Sequence, residues 1–422
     1  MGEVVEVHVV PVGARGAEDD DITSASAFEK PAHDGVLIFP SAHQSESRSA
    51  LRLHVGGVAR EEIGEDLGGR RGGEQKSAEQ ARHSEDTVSH VYTVEVPMLL
   101  LMALSWVLQH SGTTASLRGL AAADDRIVWA SGTGGTFLRT TDGGVTWTAA
   151  RVPDAGMLDF RDVHAVDGKT AYLMSSGAGD KSRIYKTVDG GVTWSLQFTN
   201  PDADGFFDAI AFWDAQHGII MGDSVNGRIA VFTTDDGGAK WERRDGPEAL
   251  PKEGGYAASG TCLIATGTRD AWIGSTAARV FHSSDGGRTW SVVQTPVRHD
   301  GSSAGIFSLA FSDAQHGIAV GGDYNKPEST EHNIAVTANG GRTWTEPAGH
   351  APSGFRSAVA WVPALRAWIA VGTNGADVSR DGGANWERFS GDAFNAVSFA
   401  PSGKGWAAGP KGAVAALRPD AQ

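Results

Sequence analysis

Six carboxylate or amide side chains recur along this chain at nearly even spacing: Asp142, Asp189, Asp236, Asp285, Asn339 and Asp381. A regular array of acids could hold a cation or share general acid and base work. The residues around them argue otherwise. Each lies in one octapeptide, from Thr140-Thr-Asp-Gly-Gly-Val-Thr-Trp147 to Ser379-Arg-Asp-Gly-Gly-Ala-Asn-Trp386. Asp-Gly-Gly between alternating residues is a hairpin signal. Its glycines reach positive φ without a steric penalty, and the Asp carboxylate accepts hydrogen bonds from the turn's own N–H groups. Each acid is therefore consumed inside its own turn, and Asn339 can accept the same bonds uncharged. No metal site and no cofactor is expected. The repeated turn Asp-Ala-Gln-His-Gly, at His217 and at His316, reads as a turn before a strand rather than a ligand pair. Cys262, in the apolar run Thr261-Cys-Leu-Ile, reads as a small core residue.

The elements that hold these turns follow from the repeat. The acid-to-acid intervals are 47, 47, 49, 54 and 42 residues, the period of a propeller blade. The octapeptide Trp residues 147, 194, 241, 290, 344 and 386 each open a strand and bury a ring against a neighbouring sheet. A second recurring piece is a strand of small residues, such as Val128–Gly132, Gly218–Gly222 and Gly405–Gly409, present seven times. The seventh blade lacks an octapeptide and an outer strand. Ser105-Trp106-Val107-Leu108-Gln109 resembles the outer strand that begins at Thr193-Trp194, and Trp106 lies 41 residues before Trp147. The expected fold is all-β: residues 105–418 form one seven-bladed propeller of four-stranded blades, closed by an N-terminal outer strand. Closure of this kind removes exposed sheet edges.

The rest of the chain differs in character. All 13 Trp lie from Trp106 onward, whereas residues 1–97 hold 9 Lys/Arg against 18 Asp/Glu and thus -9 of the net -15. That stretch shows no sustained period and has too little apolar surface to offset its ordering entropy. It is expected to be a disordered extension or an over-extended gene start. Residues 98–104 match the apolar core of an export signal but lack its basic flank, so export to a periplasmic or extracellular space is the expectation. The acidic balance argues against nucleic acid as a partner, and no apolar run is long enough for a membrane helix.

Ser/Thr-x-Asp-x-Gly-x-Thr-Trp is the Asp-box, or bacterial neuraminidase repeat. Together with strands such as Gly405-Trp-Ala-Ala-Gly409, it makes the chain resemble the photosystem II stability and assembly-factor family of propellers. That resemblance implies a non-catalytic, exported or lumenal ring that binds a protein or peptide. The box also occurs in sialidases and xyloglucan hydrolases, so a carbohydrate-active hydrolase is the alternative. The sialidase pattern would need an arginine triad, a Tyr–Glu pair and an Arg-Ile-Pro or Arg-Leu-Pro element, and neither tripeptide occurs. An acid pair using Asp208 or Asp323 is the remaining hydrolytic arrangement.

Propellers bind at the ends of the central channel. Aligning the residues that lead into each innermost strand gives Arg118, Arg161, Asp208, Gly260, Phe307, Ser357 (beside Arg356) and Asn395, with Tyr324 in the long insert Gly322–His332. Arg118, Arg161 and Arg356 are the candidates for a carboxylate or an extended peptide, through paired guanidinium contacts. The structural alternative pairs each with a carboxylate such as Asp159, Asp162 or Asp208. A monomer is expected.

Overall fold

The computed structural model describes residues 104–419. These form seven antiparallel sheets around a ring. Blade 1 runs inside to outside through strands Leu117–Ala122, Val128–Gly132, Thr136–Thr140 and Thr148–Arg151, and later blades repeat that order. Each first strand contacts the first strand of the next blade, and Ala396–Phe399 of blade 7 contacts Leu117–Ala122 of blade 1. The small-residue strands are the second in each sheet.

Blade 7 closes as expected. Its outer strand is Leu104–Gln109, paired antiparallel with Val414–Pro419 from Leu104 opposite Pro419 to Gln109 opposite Val414. Leu104 is thus part of the ring, and the rest of the apolar run, with everything before it, lies outside the described residues. In blade 5 the outer strand is reduced to one bridge between Val336 and Thr345. Pro347 follows two residues later and has no N–H to extend the ladder.

The core lies between the blades. Seven apolar clusters each join two adjacent sheets; one sets Trp129, Phe137, Phe160 and Leu173 between blades 1 and 2. The Asp-box turns lock these gaps. In box 1, Thr140 Oγ1 donates to Asp142 Oδ1 (2.8 Å) and accepts from Gly144 N–H (2.9 Å). Asp142 Oδ1 accepts from Thr146 N–H (2.9 Å) and Oδ2 from Thr146 Oγ1 (2.6 Å). In box 5, Asn339 Oδ1 accepts from Thr343 N–H (3.0 Å), and its Nδ2 donates to Thr343 Oγ1 (2.8 Å). The amide therefore replaces the acid by reversing one bond.

Both box glycines have positive φ in all six copies, and the second lies flat on the preceding blade. A Cβ at Gly341 would sit 2.5 Å from a ring carbon of Trp272, and one at Gly383 would sit 2.5 Å from Ile318. Gly341→Ala is therefore expected to cost about 1–3 kcal/mol in urea melts. Gly156→Ala, where a Cβ meets open space, should change stability by less than about 0.5 kcal/mol. Equal effects at the two positions would refute the account.

The box hydrogen bonds also hold the Asp142, Asp189 and Asp285 carboxyls down at about 2. For Asp142 and Asp189 the bonds from Thr146 and Thr193 are the main cause; for Asp285 the bonds outweigh a larger opposing effect of burial. A folded-state pKa below the unfolded value gives stability that is present above about pH 4 and lost as pH falls toward 2. Thermal melts should show that acid loss, and Asp142→Asn should make it shallower. An unchanged slope would show that the box carboxylate does not contribute to it.

Candidate functional site

The channel end where the chain enters each innermost strand is built from β-bulges. Strand register skips one residue at Arg118, Arg161, Asp208 and Phe307 in blades 1, 2, 3 and 5. A bulge re-aims a side chain relative to the pleat, so one local device sets all four positions off the regular alternation. Interblade bonds fix the strands behind them. Ile210 N–H donates to Asp162 Oδ2 (2.8 Å), Val359 N–H to Ser308 Oγ (3.0 Å) and Ala122 N–H to Ser398 Oγ (3.0 Å).

Blades 1 and 2 bring two guanidinium groups together. Arg161 Nε donates to Asp159 Oδ2 at 2.7 Å, and both side chains remain partly exposed. The Arg118 guanidinium has a buried Nε with no hydrogen-bond partner. Burial first, then the Arg161 charge, pulls Arg118 down to about 10, with Asp159 opposing. Arg118 nevertheless stays cationic at neutral pH, and Asp159 is the carboxylate beside the pair. Asp162, the nearest carboxylate in sequence after Asp159, is turned to backbone amides instead. Asp162 accepts from Val163 and Ile210 N–H, and burial pushes it up to about 7.

Arg356 does not join the pair. It is fully buried and ion-paired to Asp377, with Nε donating to Asp377 Oδ2 at 2.6 Å. Its other nitrogens donate to the Phe355 carbonyl, Asn374 Oδ1 and Ser353 Oγ. Ser357 holds the position equivalent to Arg118, and the neighbour of a strand residue points the opposite way. Asn395 is also committed: Nδ2 donates to the Leu117 carbonyl at 2.8 Å, and its own carbonyl accepts Ser357 Oγ. It clamps blade 7 to blade 1.

The far side of the channel end is aromatic and acidic. Phe307 stacks face to face on Tyr256, with centroids 3.8 Å apart and planes 6° apart. Tyr324 and Phe355 meet Phe307 edge-on at 6.1 and 4.7 Å. Tyr256 was not singled out by sequence; of its loop only Gly260 was. The signal was the long interval between Trp241 and Cys262, with glycines at 254, 255 and 260. The loop reaches across the ring. Gly255 N–H donates to Asp208 Oδ2 (3.2 Å), Ser259 Oγ to the Ser357 carbonyl (2.9 Å), and Gly260 abuts the Asp162 carboxyl. Glu253 anchors its base on Arg279 and Ser275.

These tyrosines are poor nucleophile candidates. Tyr256 Oη donates to the Ser302 and Ala304 carbonyls, and burial raises its pKa. Tyr172 Oη donates to the Gly237 carbonyl from a fully buried position. Glu253, the buried glutamate nearest Tyr256 in sequence, is ion-paired with Arg279. Cys262 is buried with its thiol pKa raised well above normal, as a core residue should be.

Residues 200–347 match the family model described as photosynthesis system II assembly factor YCF48. Among solved structures, YCF48 bound to D1 peptide is 19% identical, with a TM-score of 0.55 over 76% of this chain and 99% of that one. YCF48 from Cyanidioschyzon merolae is 19% identical, with a TM-score of 0.51 over 75% and 99% of the two chains. A streptogramin B lyase structure is 14% identical, with a TM-score of 0.56 over 76% and 99%. At these identities the structural likenesses establish the fold. No curated protein matches the sequence.

The two kinds of arginine should respond oppositely to substitution. Arg356→Met leaves Asp377 charged and buried and should cost about 3–5 kcal/mol. Arg118→Met removes a cation that lacks a hydrogen bond at Nε and faces another cation, so it should leave stability unchanged or raise it. Urea denaturation of the two variants checks this, and a large loss at Arg118 would mark it as structural.

Proposed function

We propose that this propeller, similar to the photosystem II assembly factors, is a non-catalytic scaffold that binds an extended peptide at the bulged end of its channel. The observation that carries the reading is the Arg118–Arg161 pair: two cations at a channel end, with Asp159 beside them and one buried Nε unpartnered. Such a pair favours a carboxylate, because bidentate guanidinium contacts are strongest where water is partly excluded. A peptide's terminal carboxyl or an acidic side chain meets that requirement. The aromatic wall of Tyr256, Phe307 and Tyr324 offers the adjoining residues a rigid apolar surface.

The similarity to YCF48 supports this direction, since a YCF48 propeller has been solved with a D1 peptide. We further propose that the ring lies outside the cytoplasm, on the strength of the apolar run at residues 98–104 alone. No helix among the described residues is long and apolar enough to cross a membrane.

Calorimetric titration with the D1 peptide, its terminal carboxyl free or amidated, tests the reading, alongside capture of partners from the host's periplasm. Arg118→Glu with Arg161→Glu should abolish both peptide binding and capture. Unchanged capture by the double variant would remove the arginine pair from the proposal. Turnover of sialosides or xyloglucan oligosaccharides would replace the scaffold with a hydrolase.

A further inference from the structure

The opposite face of the ring carries a second cationic feature, in the gap between blades 3 and 4. A cavity of about 160 Å³ opens there, with Trp213, His217, Arg244, Thr268, Arg269 and Arg288 in its lining. Two of its arginines lack carboxylate partners. Arg269 makes no side-chain hydrogen bond or ion pair among the described residues, and Arg288 Nη1 donates only to the Asp285 carbonyl (2.8 Å). Both guanidinium groups flank one glycine, since a Cβ at Gly286 would lie 3.4 Å from Arg269 Nη1 and 3.8 Å from Arg288 Nη1.

The two carboxylates in the cavity are already engaged. Asp214 accepts from the Gln216 and His217 amides (2.8 Å each) and meets His217 Nδ1 at 2.9 Å. Asp235 lies 3.7 Å from Arg244 Nη2. The lining thus sets three arginines against two carboxylates, a net positive charge, and neither Arg269 nor Arg288 is paired with a carboxylate among the described residues.

The repeat makes this gap distinctive. In five boxes the first glycine's N–H donates to the carbonyl of one residue in the turn between its blade's first two strands: Arg126, Lys169, Gln216, Arg269 and Gln315. The residue after the second box glycine is Val145, Val192, Ala239, Arg288 and Arg342 in the same order. Only blade 4 has arginine at both places. Two unpaired guanidinium groups at one small cavity attract an anion, and a threonine hydroxyl and a histidine ring in the lining suit a compact one.

We propose that this gap is a binding site for a tetrahedral oxyanion, a phosphate either free or carried as a small monoester, held by Arg269 and Arg288. Isothermal titration of the full chain with inorganic phosphate, phosphoserine and acetate, at ionic strength fixed with chloride, tests it. Phosphate or phosphoserine should bind saturably at one site, and whichever is tighter identifies the free or the esterified form. Arg269→Ala and Arg288→Ala should each weaken binding about tenfold, the loss of one charge-assisted contact. Both substitutions are at exposed positions, and alanine already occupies the Arg288 place in two other boxes, at Ala239 and Ala384. Arg342→Ala, outside the cavity, should leave binding unchanged. Absence of saturable phosphate or phosphoserine binding, an affinity in either cavity variant unchanged from that of the unsubstituted protein, an equal loss in Arg342→Ala, or acetate binding as tightly would each overturn the assignment.

Discussion

The ring depends on one contact repeated six times: the second glycine of each Asp-box lying on a second-strand residue of the blade before it. The partners are Trp406, Trp129, Tyr172, Ile219, Trp272 and Ile318, in blade order. A methyl group has no room at most of these contacts. The box hydrogen bonds hold the turn in the left-handed conformation that permits the approach, and the box tryptophan then enters the same gap. Trp241, Trp344 and Trp386 are each 6–7% exposed within an interblade cluster. Local turn chemistry and long-range packing thus act at the same place, the kind of agreement across levels that makes a repeat fold specific.

Blade 7 shows what happens where the box is missing. Its outer position is filled from the other end of the chain, and Trp106 enters the gap beside Phe394 with ring centroids 5.4 Å apart. Hydrophobic burial there replaces the turn lock. Gln109 extends the closure, because its Oε1 accepts from Trp147 Nε1 of blade 1 at 3.0 Å. The closing strand therefore touches the first box as well as the last sheet.

Most of the fold was legible because the box demands particular residues. Thr, Asp, two glycines and Trp each meet a separate stereochemical need, so six copies and a seventh strand set gave the blades and their closure. The channel end was legible only in part. Alignment found Arg118, Arg161, Asp208 and Phe307 because a bulge occupies one fixed place in the repeat. It included Arg356 because that residue adjoins the aligned position, but a one-residue offset in a strand reverses the side chain. Asn395 was placed correctly in the repeat, yet its amide is used between blades. Tyr256 lies on a loop with no counterpart in other blades, so no internal comparison could find it.

Arg118 and Arg356 show how the same side chain can serve packing or recognition. Arg356 is fully buried, with Asp377 and three further acceptors around its guanidinium, and every contact is internal. Arg118 sits at a strand bulge near a second arginine, where burial and repulsion both oppose its charge. A fold selected for stability alone would gain by replacing that cation with an apolar residue of similar size. Retaining it is understandable if the cost is recovered when an anion arrives, since the ligand then supplies the neutralisation that Asp377 gives Arg356. Perturbed charges in a cleft mark functional candidates on this ground, and the interblade boxes, far from the channel end, supply the stability that lets the ring tolerate it.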